Sequence, residues 1–183
     1  QLRIQTDEMK MIRGNDMKVI LHDLAQAEWS TLALPVDNNT RIIDHTKVIH
    51  PCVGCFGCWT KTPGQCVIQD EYQKIGALFG NTDELMIISR CSFGSYSSFI
   101  KNVIDRSIAY FLPFFEIRQG EMHHKVRYHN TIQFRVFFYG EDLSENEKKT
   151  AKQLVEANVQ NFNGILKQVC FVDSYEKLKE LVI

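Results

Sequence analysis

What the sequence lacks narrows it first. No apolar run approaches the roughly 20 residues that cross a bilayer, so no membrane partner is expected. Neither charge is in excess: 21 Lys and Arg stand against 22 Asp and Glu, a net charge of −1. Without a global field of one sign, nucleic acid is not an expected partner either. Proline is scarce, at four residues in 183, and no repeat, linker or low-complexity stretch interrupts the chain. The opening stretch, Gln1 to Asp16, is polar and mixed in charge. It has neither the apolar core nor the small-residue cleavage site of a secretory leader, and a cytoplasmic location is expected. Residue 1 is Gln rather than Met, so the natural chain is expected to begin further upstream.

What is present reads as one ordinary domain. An apolar fraction of 44% and a charged fraction of 23% are those of a globular protein with a buried core. After the polar extension 1–16, a single domain is expected over 17–183. Met17 to Leu24 reads as a first strand, and Ala25 to Leu34 as a short helix limited by Pro35. Arg41 to Ile49 reads as a second strand, Asp70 to Phe79 as an amphipathic helix, and Glu84 to Ser89 as a buried strand. A helix from Ser97 turns Phe99, Ile100, Val103, Ile104 and Ile108 inward, and Lys101, Asp105 and Arg106 fall to its surface and partner contacts. Ile132 to Tyr139 is the next strand. Ser144 with Glu147 forms a capping box for a helix to about Phe162. Ile165 to Val172 and a helix over Ser174 to Ile183 complete the chain. Strand and helix alternate, which requires a parallel sheet covered on both faces. The expected class is a flavodoxin-like, doubly wound five-stranded parallel sheet of order 2-1-3-4-5, with ligands beyond the carboxyl ends of strands one and three. Phe111 to Asn130 is too long for an ordinary connection and reads as an irregular functional or interface loop.

Four of the six cysteines lie between Cys52 and Cys66, in CVGCFGCWTKTPGQC, with gaps of two, two and seven residues. Two-residue gaps turn the chain back each time, so three thiolates converge, and Gly54 and Gly57 relieve the crowding. Cys66 would complete a set of four for a [4Fe–4S] cluster. Zinc is more usually held by two separated Cys-x-x-Cys hairpins. Thiols packing a loop as small hydrophobes are the third possibility. The remaining pair reads as structural, Cys91 as a buried thiol and Cys170 as core. His123 and His124 are adjacent in what would be extended chain, so they point to opposite faces and are not a chelating pair.

The run CVGCFGCWTKTPGQCVIQD, followed by a strand and then SRCSFGSYSSFIKNVIDR and GEMHHKVRY, resembles the iron–sulfur flavoprotein branch of the NADPH-dependent FMN reductases. The resemblance runs from about Lys18 to the C terminus. It implies a flavodoxin-like fold, FMN as cofactor, NAD(P)H as electron donor, and small-molecule redox partners. It also implies homo-oligomeric assembly and a [4Fe–4S] cluster on Cys52, Cys55, Cys58 and Cys66. By the same likeness Ser92, Phe93, Gly94 and Ser95 lie along the flavin ring, and Tyr139 and Gly140 open the third flavin-side loop.

One departure runs through the rest. A flavin phosphate needs a ring of amide and hydroxyl donors after strand one, helped by a helix N-terminus. Here strand one is followed by His22-Asp23-Leu24-Ala25-Gln26-Ala27-Glu28, with two acids and neither glycine nor hydroxyl. Two functions are therefore expected to compete. One is an NAD(P)H-dependent flavin oxidoreductase or electron-transfer protein of the iron–sulfur flavoprotein type. The other is a flavodoxin-fold module without its flavin phosphate site, serving in electron transfer, sensing or interaction.

Overall fold

The structure, a computed structural model, describes residues 16–182. The expected extension over 1–16, apart from Asp16, and the last residue of the expected final helix lie outside the described residues.

The main sheet joins β1 (Lys18–His22), β2 (Thr40–Ile43), β3 (Glu84–Arg90), β6 (Gln133–Tyr139) and β7 (Ile165–Val172) in the order β2-β1-β3-β6-β7. All four pairings are parallel. This is the expected order 2-1-3-4-5, with two further strands inserted in the numbering. The helices α1 (Gln26–Leu32), α3 (Ile75–Phe79), α4 (Ser98–Arg106), α5 (Glu145–Asn161) and α6 (Lys179–Val182) flank it, and a short α2 (Gly57–Thr60) lies in the cysteine run. The central strands are buried on both faces, which is why β3 reads Leu85-Met86-Ile87-Ile88 rather than alternating. Val19, Leu21, Leu85, Ile87, Val136 and Phe138 face one core with Ile100, Val103, Ala151 and Val155. Ile20, Met86, Ile88 and Phe137 face the other with Leu24, Leu32 and Leu178.

Several elements differ from expectation, each for a local reason. Phe111 to Asn130 is not an irregular loop but mainly an antiparallel hairpin, β4 (Phe111–Arg118) and β5 (Glu121–Val126). Its turn is Gln119-Gly120, both at positive φ (52° and 85°), the backbone of a tight primed turn. A register shift between Phe111 and Phe115, spanning Pro113, hides the alternation. The helix expected over Asp70 to Phe79 is helical only from Ile75, after a turn in which Asp70 accepts the Tyr72 amide at 3.0 Å. β2 ends at Ile43 rather than Ile49, where Asp44 turns the chain by accepting the Thr46 amide at 3.0 Å. The final helix breaks into a 3₁₀ turn, Tyr175–Leu178, and a short α6. No helix among the described residues is long and apolar enough to cross a membrane.

Candidate functional site

Two regions carry the chemistry-bearing residues: the carboxyl end of the sheet and the cysteine loop.

At the first, β1 ends on His22 and the chain turns at Asp23. The Asp23 carboxylate accepts the Arg90 amide at 2.9 and 3.2 Å, the Tyr139 hydroxyl at 3.0 Å and the Ser89 hydroxyl at 3.4 Å. It thus ties together the ends of β1, β3 and β6, the strands at the topological switch point. Burial, then the Asp23 charge, push the Tyr139 hydroxyl far above the usual phenol range, so it stays a donor. Glu28 turns back onto the start of α1, accepting the Ala25 amide at 2.7 Å. The Ala25 amide at the start of α1 is thus partnered by Glu28, and the Arg90 amide at the end of β3 by Asp23. The carboxylates of Asp23 and Glu28 disfavour a phosphate at the end of β1.

The loop after β3 is a tight turn closed on itself. The Ser92 amide donates to the Ser95 carbonyl and the Ser95 amide to the Ser92 carbonyl, both at 2.9 Å. Phe93 and Gly94 at its tip have φ of 52° and 73°. A Cβ on Gly94 would lie 2.9 Å from the Thr150 side chain, so this glycine lets the turn press against α5. Phe93 is 96% exposed in a backbone conformation costly for a bulky residue. Ser92, Phe93, Tyr139 and Gly140 line one groove of about 670 Å³, and Gly94 and Ser95 are not among its walls. The same groove carries Glu28, Glu141, Asp142, Glu147, Asp173 and Glu176 against Arg90, the one cation among the described residues that line it. Its charge disfavours a phosphate, while its aromatic and backbone surfaces suit a planar uncharged ring.

At the second region a short helix and a set of backbone hydrogen bonds shape the cysteine loop. Gly57 is a glycine because a Cβ there would sit 2.5 Å from Val67 Cγ1. Phe56 adopts a left-handed backbone (φ 55°), and α2 starts directly after it. The seven-residue gap before Cys66 is drawn shut: the Thr62 amide donates to Gly57 at 2.9 Å and the Gly64 amide to Cys58 at 3.0 Å. The Thr62 hydroxyl bonds the Gln65 carbonyl at 2.7 Å, and the Cys66 amide reaches the Gln73 carbonyl at 3.0 Å. Cys52, Cys55, Cys58 and Cys66 consequently line one cavity of about 50 Å³, with Ile68, Ile108 and Arg106. All four are free thiols, Cys52 and Cys55 exposed, Cys66 half-buried and Cys58 buried. Burial, and then the charges of Cys66, Cys52 and Cys55, push the Cys58 thiol up. Held as thiolates, the four would need a cationic centre among them. Among the described residues no three His, Cys, Asp or Glu side chains converge as ligands of a single metal ion. The thiols line a shared cavity instead.

Arg106, placed by its sequence context on the helix surface, is buried with its side chain fully covered. It clasps the Asp70 carboxylate through both terminal nitrogens, at 2.7 and 2.8 Å, and donates to the His50 carbonyl at 2.7 Å. The signal was available: Arg106 lies three residues after Val103, on the buried stripe of α4. Of the two histidines in β5, His123 is buried and bonds Asn161 at 3.0 Å, while His124 bonds the Leu112 carbonyl at 2.8 Å. The pair does divide between faces.

No family model and no curated protein matches the sequence. Among solved structures, the chain is similar to the Trp repressor binding protein of Bacillus subtilis, with 14% identity, a TM-score of 0.51, and coverage of 86% of this chain and 87% of that one. It is similar to general stress protein 14 of Treponema denticola, solved in complex with FMN, with 9% identity, a TM-score of 0.51 and 91% of each chain covered. It is similar also to the azoreductase AzrA, with 8% identity, a TM-score of 0.53 and 91% of each chain covered. Likeness at such identities bears on the fold. By its strand order, its two covered sheet faces and these structural relatives, the chain has a flavodoxin-like α/β fold.

Proposed function

We propose that this chain is a redox protein of the electron-transfer kind, with the four-cysteine loop as its redox centre. The observation that carries the reading is the meeting of Cys52, Cys55, Cys58 and Cys66 on one small cavity, despite the long gap before Cys66. Soft thiolates in a compact set of four fit a [4Fe–4S] cluster, which supplies one-electron chemistry when bound. The chain's own part is to close the loop through Thr62 and Gly64, to bury one side of the site with Cys58, and to leave Cys52 and Cys55 at the surface, where electrons enter or leave.

A second reading, NAD(P)H-dependent flavin oxidoreductase, is favoured by one feature, the groove where Ser92, Phe93, Tyr139 and Gly140 meet. The FMN complex of the Treponema relative is consistent with it. Flavin would then enter as a ring-bound substrate rather than a cofactor gripped by its phosphate, because the Asp23 and Glu28 carboxylates stand at the end of β1 and Glu28 occupies the Ala25 amide. Self-association is part of both readings: Phe114, Phe115, Ile117 and Met122 are exposed together on the hairpin, an apolar surface of the kind that marks a protein contact. A visible absorption spectrum of protein purified without oxygen separates the readings. A broad brown shoulder supports the cluster, paired blue and near-ultraviolet bands support bound flavin, and a colourless protein that stays colourless with iron and sulfide defeats the first reading.

A further inference from the structure

Arg106 has five N–H donors, and four of them lie on the two terminal nitrogens that face Asp70 and the carbonyls of His50 and Ile68. The fifth, on Nε, is buried and has no hydrogen-bond partner. A buried charge-bearing donor left empty is costly and calls for an explanation. The explanation lies in what the side chain borders. Arg106 lines the cysteine cavity beside Ile68 and Ile108, and of the four cysteines Cys66 bears on its charge.

We propose that Arg106 is a fifth member of the cysteine site, a positioning residue whose Nε–H is kept for sulfur at the Cys66 corner of the cavity. The inference rests on the cluster reading above and adds to it a residue that the cysteine spacing does not reveal. Asp70 fixes the guanidinium plane through a bidentate grip, and the His50 amide steadies Asp70 in turn at 3.2 Å. The fork is thereby spent on the protein and the Nε edge is left to the cavity. A hydrogen bond to sulfur and a nearby positive charge both favour the reduced, more negative state of an iron–sulfur centre, so this pair sets its potential.

The competing account is that Arg106 merely pins the loop. Two variants divide them by sign. In the full chain, reconstituted anaerobically with ferrous iron and sulfide and titrated with dithionite, Arg106→Lys keeps a charge against Asp70 but loses the Nε–H. Its midpoint potential should fall, and iron should be lost to a chelator about tenfold more readily. Asp70→Asn keeps the Nε–H and removes the compensating carboxylate, so its potential should rise. A loop pin predicts shifts of the same sign or none, and either result overturns the proposal. Should Arg106→Lys fail to fold, Asp70→Asn decides alone: a raised potential supports the proposal and an unchanged or lowered one ends it. Loaded wild type with unmoved variants removes this inference only. Wild type that takes up neither iron nor sulfide removes the cluster reading and this inference with it.

Discussion

Asp23 and Tyr139 meet at 3.0 Å, carboxylate to phenol hydroxyl, and tie the end of β1 to the end of β6 across β3. The contact occupies the place where a flavodoxin-like sheet is open to a ligand. In this chain the place holds a protein carboxylate already supplied with its donors. Arg90, Ser89 and Tyr139 all serve Asp23.

Flavin binding should therefore show no preference for the phosphorylated form. Riboflavin and FMN are expected to bind alike in a fluorescence-quenching titration. Asp23→Ser should improve FMN relative to riboflavin by about fivefold, since a carboxylate close to a dianion costs about 1 kcal/mol or more. Tight binding with strong selectivity for FMN in the wild type would contradict the account.

The β1 terminus also predicts an acid sensitivity. His22 is buried against Trp29, ring centroids 4.1 Å apart and nearly parallel, and neither ring nitrogen has a partner. Burial holds its pKa down to about 4 from an ordinary 6.5, although Asp44 acts the other way. The unfolded chain thus takes up a proton that the folded chain refuses, and stability falls as pH drops from 6.5 towards 4. The loss from this residue is about 3 kcal/mol at the lower limit, and none of it appears above the upper one. Urea unfolding at several pH values should show the slope in the wild type and its reduction in His22→Phe. An identical slope in both proteins would remove His22 as the cause.

Asn130 is a buried joint between the hairpin's exit and α3. Its side-chain amide donates to the Phe79 and Thr82 carbonyls at 2.8 and 2.7 Å. Asn130→Ala should cost about 2 kcal/mol or more, because both carbonyls lose their partner in a dry setting. A change in unfolding free energy below about 0.5 kcal/mol would show that water replaces the amide.

The hairpin should hold copies of the chain together. Phe115→Glu with Phe114→Ser is expected to convert an oligomer to a monomer in light scattering, with the far-ultraviolet spectrum unchanged. A wild type that is already monomeric at micromolar concentration would rule this out.

The sheet was legible in the sequence because its signals are local. The apolar run of β3, the Ser144–Glu147 capping box and the strand at Ile165 each announce themselves within a few residues. The closeness of the four cysteines in sequence was plain, and the structure places all four on the lining of one cavity. The hairpin was not legible, because Pro113 and the register shift break its alternation and many of its side chains stay exposed. Nor was the Arg106–Asp70 clasp: the place of Arg106 on the buried stripe of α4 was readable, but its partner lies 36 positions away. Gly94 was expected to lie along a flavin ring. Its close approach to Thr150 of α5 depended on tertiary packing.

The central claim is that Cys52, Cys55, Cys58 and Cys66 hold one redox centre, and iron with acid-labile sulfide, measured on anaerobically reconstituted protein, tests it most directly. The account predicts about four iron and four sulfide per chain, greatly reduced by Cys58→Ser and equally by Cys66→Ser, with the fold retained. Iron and sulfide absent from the wild type, or a content that survives Cys66→Ser, would contradict it.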